Sequence, residues 1–189
     1  MKKKGAIVSS MRLKAIRGMT LLELVVVMAI VAILASIALP SFSTSMRNSR
    51  LATMTNEFIG AVNLARSEAV KNNRGAAICA SSDGATCGTD WAQGWMVFAD
   101  ADRNGVRGAT ESVFRVQQAL NGLSVASSSV SAFRFTARGE CANCSGGEFG
   151  GTTSDLELRA VPCDAGQQHV RAMRILRTGA VSFQKRGCP

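Results

Sequence analysis

The sequence predicts an α+β protein: one long N-terminal helix, part membrane span and part amphipathic, packed on an antiparallel β-sheet head. Three observations predict it. A basic leader precedes an apolar run from Leu24 to Leu39 broken only by Ser36. A stripe of apolar residues at helical spacing follows, from Leu51 to Ala69. Beyond Gly75, short apolar runs alternate with Gly, Ser, Asn and Asp.

The leader holds Lys2, Lys3, Lys4, Arg12, Lys14 and Arg17 and no acid, and such a cluster stays on the cytoplasmic side of a membrane. A secretory signal would place its apolar core before a small-residue cleavage site and be lost. Here the small residue, Gly18, comes first. Cleavage after Gly18 would make the greasy helix the mature N-terminus. Met19 to Leu39 as helix is about 32 Å long at about 1.5 Å per residue, the thickness of one bilayer core. Glu23 is the anomaly, because a carboxylate near the start of a span costs about 2 kcal/mol or more unless it finds the interface or a cation. The amino group freed on Met19 lies one helical turn away, and a neighbouring subunit's amino group serves equally well. The plainer alternative is a single-pass anchor with an interfacial Glu.

Pro40 should kink or loosen the helix, which then resumes. Leu51, Met54, Phe58, Val62, Ala65 and Ala69 step by three and four, with Arg50, Asn56, Asn63 and Glu68 elsewhere on the wheel, so one stripe is expected to enter a core. Asn72, Asn73 and Gly75 supply the stop. Strands are expected near residues 76–80, 94–99, 113–118, 132–136, 156–161, 170–176 and 180–183. The connections are too short for crossover helices, so pairing should be antiparallel, in one or two sheets. The Ser-rich 124–131 and Gly/Thr-rich 146–153 segments read as exposed loops. No internal repeat is present.

Gly18, the Thr20-Leu21-Leu22-Glu23 block, the basic leader and the apolar helix with Pro40 resemble, in that order, the class III signal of type IV prepilins and type II secretion pseudopilins. The resemblance implies a prepilin peptidase that cuts between Gly18 and Met19 and methylates the new terminus. It also implies that Glu23, at the fifth mature position, neutralises a neighbour's amino group. Met19 departs from the usual Phe. Further on, Asn63 to Lys71, the Ile78-Cys79-Ala80-Ser81-Ser82-Asp83-Gly84 block, Trp91, Gly94 to Phe98 and Asp100 are similar to the GspH/FimT family of minor pilins and pseudopilins. That resemblance implies a pilin-like fold and a low-abundance subunit at or near a filament tip that primes assembly and does no chemistry. The chain then divides into a cleaved leader (1–18), a transmembrane and assembly helix (19–45), an amphipathic helix of the head (46–73) and the β head (74–189). Its partners are the inner membrane before assembly, prepilin peptidase, and other minor and major pilins or pseudopilins. Its place is the inner membrane, single pass with the head in the periplasm, and then a pilus or pseudopilus that can reach the cell surface. Trp91 and Trp95 are expected in the core.

Loss of six leader cations lowers the net charge from +9 to +3, so the basicity reports the leader and is poor evidence for nucleic acid. Six cysteines in a head delivered to an oxidising compartment suggest disulfides. Spacing alone leaves fifteen connectivities open, and proximity favours Cys79–Cys87, Cys141–Cys144 and Cys163–Cys188. Zinc at Cys141 and Cys144 is disfavoured, because His169 is the sole His and no second close Cys pair exists. A redox-active pair lacks a thioredoxin-like setting.

Asp100, Asp102, Asn104 and Glu111, with Gly105, satisfy the spacing of a calcium-binding EF-hand loop. Strand-like flanks and the cations Arg103 and Arg107 argue instead for a turn in which Asp, Asn and Gly satisfy local geometry. No other cofactor is expected. Catalysis finds no support: His169 has no nucleophile beside it, and no phosphate-cradling or metalloprotease motif appears. DNA capture is the rival function. Arg159, Arg171, Arg174, Arg177, Lys185 and Arg186 populate the C-terminal third. DNA-uptake subunits similar to this family carry a Gly-Arg-x-Arg element, where this chain has Gly179-Ala180-Val181-Ser182. Lys185 and Arg186 would have to substitute, and they serve equally as charges guarding an edge strand.

Overall fold

A computed structural model describes residues 18–119, 121–127, 130–144 and 156–189. The leader through Arg17 and the 146–153 segment expected as a loop lie outside the described residues. One helix, α1 (Leu21–Lys71), is followed by eight strands: β1 (Ala76–Ala80), β2 (Trp95–Ala99), β3 (Val113–Gln117), β4 (Leu123–Ser127), β5 (Ala132–Phe135), β6 (Leu156–Ala160), β7 (Val170–Ile175) and β8 (Val181–Arg186). The chain divides into two compact units, residues 1–42 and 43–189. In the first, helical backbone continues through position 40, so Pro40 does not end α1.

The second unit is an α+β head built from two four-stranded antiparallel sheets, ordered β3-β2-β1-β5 and β4-β6-β7-β8. Both rest on the later turns of α1. Leu51, Phe58, Ala61, Val62, Ala65 and Ala69 are fully buried in one core with Ile78, Val97 and Phe133 of the first sheet and Leu156, Leu158 and Met173 of the second. Strand periodicity explains the division: Ala76, Ile78 and Ala80 of β1 face the helix, while Ala77 and Cys79 fall in a smaller cluster with Met96 and Phe98.

Phe58 is the aromatic joint of this core. Its ring meets Trp91 and Trp95 edge-on, with centroids 5.8 and 5.3 Å away, a geometry that aromatic quadrupoles favour. Trp91 sits on a single 3-10 turn (Trp91–Gln93) capped by Asp90, whose side chain accepts from Ala92 N at 2.9 Å, and its indole donates to Val130 O at 3.1 Å. Gly94 then carries the chain into β2 at φ 113°, where a Cβ would collide with Gln117 O across the sheet. Only glycine suits both conditions.

Asn73, at φ 50°, ends α1. Arg74 N donates to Ala69 O and Asn73 N to Val70 O, both at 3.2 Å, the paired pattern of a left-handed C-cap. One expectation fails. Residues 124–131 are not wholly a loop, because Leu123–Ser127 forms β4 and pairs with β6 from Leu123↔Ala160 to Ser127↔Leu156. The alternation of Leu123 and Val125 with Ser124 puts two apolar side chains on the core side, and that burial outweighs the turn-forming bias of serine.

Cys79–Cys87, Cys141–Cys144 and Cys163–Cys188 are each bonded, and no described cysteine is free. Inside the first loop, the Asp83 carboxylate accepts from Ala85 N and Thr86 N, both at 2.8 Å, and from the hydroxyls of Thr86 and Ser81. The Thr86 N–H, then that of Ala85, holds its pKa well below the usual carboxylate range.

Phe58→Ala should lower head stability by about 3–5 kcal/mol, the cost of a large aromatic deleted from a closed core, seen as an earlier urea midpoint. Asp83 has a depressed folded pKa, so its contribution is complete above the unfolded value of about 3.9 and lost as pH falls further. The melting-temperature gap between wild type and Asp83→Asn should therefore be flat from neutral pH down to about 5 and shrink below about 4; a gap independent of pH would refute this role.

Candidate functional site

Gly18, the expected processing residue, is exposed and has open space around it. Thr20 is the N-cap of α1: its Oγ1 accepts from Glu23 N at 3.2 Å, and its carbonyl accepts from Leu24 N at 3.1 Å. This cap was not anticipated from the sequence, although the Thr-x-x-Glu spacing signals it. Glu23 thus stands in the first helical turn, where backbone N–H groups are otherwise unpaired and negative charge is favoured. Behind it, large apolar side chains from Leu21 to Leu39 are exposed, Val27 by 44% and Leu21 by 82%. Among the described residues, α1 is the one helix long and apolar enough to cross a membrane.

The acidic loop lies between β2 and β3, and carboxylate oxygens of Asp100, Asp102 and Glu111 come within 4.8 Å of one another. Each is engaged by the loop's own backbone. Asp100 accepts from Gly105 N at 3.1 Å, Asp102 from Asn104 N at 3.2 Å, and Glu111 from Ala101 N and Gly108 N at 2.7 and 2.8 Å. Asn104 is turned into the loop, its Oδ1 accepting from Val106 N at 2.6 Å. Two cations add to this turn: Arg107 donates to Glu111 O and Ala85 O, and Arg134 Nη1 donates to the backbone carbonyl of Arg103. Burial, and then the nearby Glu111 carboxylate, raises the Asp100 pKa despite the Gly105 hydrogen bond that lowers it. The group is chemically able to meet a hard cation, yet its oxygens already close a turn.

The cations of the C-terminal third do not share one surface. Along β8, successive side chains alternate, so Lys185 lies on the helix-facing side, opposite Arg171 of β7, while Arg186 lies on the other face. There Arg186 and Arg159 both bind Glu157, at 2.9 and 2.8 Å. Gly179 closes the turn before β8 at φ 77°, its position abutting Gly139 O, which makes this glycine a backbone requirement. His169 is fully buried, and neither ring nitrogen has a hydrogen-bond partner among the described residues.

Residues 54–179 match the family described as type II transport protein GspH, and residues 13–39 match the prokaryotic N-terminal methylation motif. Two crystal structures of the Pseudomonas aeruginosa type IV minor pilin FimU are similar, at 22% and 21% identity. They cover 72% of this chain and 90% and 91% of theirs, with TM-scores of 0.48 and 0.46. No curated protein matches the chain.

Because the acidic loop satisfies its own carboxylates, calcium at about 1 mM, where extracellular calcium modules saturate, should leave the melting temperature unchanged in differential scanning fluorimetry. A rise that disappears in Asp102→Ala would establish a cation site instead.

Proposed function

Since the chain belongs to the GspH family of type II transport proteins, we propose that it is a minor type IV pilin that joins other minor subunits in a priming or tip complex. The observation that carries this is the exposed apolar run from Leu21 to Leu39 behind a capped Glu23, in a segment matching the methylation motif. Those side chains need an apolar phase. Before assembly it is the inner membrane, with the head in the periplasm. Afterwards it is the packed helices of neighbouring subunits. Prepilin peptidase cuts after Gly18 and methylates Met19, and the Glu23 carboxylate pairs with the amino terminus of an adjoining subunit, offsetting the cost of an acid in an apolar bundle. The chain is a substrate and a building block, not an enzyme.

The same architecture serves a minor pseudopilin of type II secretion, and a deletion strain separates the two. Loss of surface pili or twitching supports the pilus, whereas retained pili with blocked exoprotein release supports secretion. Capture of DNA is supported less well, because Lys185 and Arg186 face opposite ways and Arg186 is engaged by Glu157. A duplex needs cations along one surface.

Glu23→Ala should leave insertion and cleavage intact and reduce incorporation into sheared filaments by about tenfold or more, as expected when at least about 1.4 kcal/mol of charge neutralisation is lost. Mass spectrometry of the membrane-held pool, showing a methylated Met19, controls for processing. Normal incorporation of this variant would remove the neutralisation argument.

A further inference from the structure

We propose that the hollow between the 45–52 stretch of α1 and strands β7 and β8 binds a phosphate group, supplied by the headgroup of an anionic phospholipid. The hollow measures about 450 Å³, ample for a phosphate and its ester oxygens. Helix α1 contributes Ser45, Asn48 and Ser49 from one face, and the sheet contributes Gln168, Arg171 and Lys185.

Arg171 is the unusual member. It is only 6% exposed and stands on the core side of β7. Its Nη1 donates to the carbonyls of Gln168 and Val170 at 2.9 and 3.1 Å. No described carboxylate forms an ion pair with it or with Lys185. Burial holds its pKa below the ordinary guanidinium value, as expected of a cation removed from water without a counter-ion. Lys185 lies directly across the strand pair on the same face, and like charges so placed repel. The acids of this region are committed elsewhere: Asp164 to Arg47 at 2.9 Å, and Glu157 to Arg159 and Arg186 on the opposite face. Two cations with no acid between them, beside serine hydroxyls and amide donors, are what a phosphate oxygen cluster requires.

The chain itself argues for a lipid source. Ser45 stands six residues past Leu39, the end of the apolar run, so chain length alone keeps it within about 20 Å of that end. A span that fills the hydrocarbon core therefore brings this hollow to the neighbourhood of the headgroup layer, where phosphates are dense. A hollow walled by a helix admits one phosphate, not a row of them, which disfavours a nucleic-acid backbone. The inference rests on the membrane anchoring described above and is independent of which filament the chain joins.

The test is native mass spectrometry of the full-length protein released from vesicles of equal phosphatidylglycerol and phosphatidylcholine. Phosphatidylglycerol should be retained preferentially, and Lys185→Glu should reduce its retention by about fivefold or more, the worth of one cation near an anionic headgroup. Lys185 is exposed, so this variant should fold. Ser49→Leu, which fills the hollow without altering charge, should reduce retention similarly. Equal retention of the two lipids, or equal retention by wild type and Lys185→Glu, overturns the proposal. So does stabilisation by inorganic phosphate without lipid preference, or duplex DNA binding that Lys185→Glu abolishes while no lipid preference exists. Filament incorporation is not read in this experiment, so its failure is distinguishable from failure of the assembly reading.

Discussion

An apolar side chain exposed on a helix must meet another apolar surface, and this chain has a long run of them that its own core does not use. The head is closed by Leu51, Phe58, Val62, Ala65 and Ala69 of α1, whereas the large apolar side chains from Leu21 to Leu39 are exposed. One helix therefore serves two environments. Its later turns are held by protein, and its early turns ask for lipid or for other helices.

Within the head, cohesion comes from joining two sheets through one helix. Phe58 meets both tryptophans of the 3-10 turn and β2, and the surrounding small residues let backbone elements approach closely. Elsewhere the loops are held by their own polar groups. Asp83 organises the turn inside Cys79–Cys87, and Asp100 and Glu111 organise the turn between β2 and β3. Disulfides add constraint where short segments have little core.

Charge is arranged by strand alternation. Two neighbouring cations in the sequence, Lys185 and Arg186, are separated to opposite faces, one left opposite Arg171 and the other neutralised by Glu157. A charge count along the C-terminal third therefore says little about its surface. What matters is which cations find acids, and among the described residues Arg171 and Lys185 form no ion pair.

Much was legible from residues alone. The leader, Gly18, Glu23 and the apolar run follow from composition and order along the chain, and the stripe from Leu51 to Ala69 follows from helical periodicity, because these are local properties that neighbours in sequence set. Most strands followed from short apolar runs between turn residues. Tertiary structure decided the rest: β4 exists because Leu123 and Val125 find β6 and the core, the acidic loop turns its carboxylates onto its own N–H groups, and Arg171 is drawn inside by its place on the core face of β7. These depend on partners distant in the chain, and pairing register, which no single segment carries, determines which face each side chain occupies.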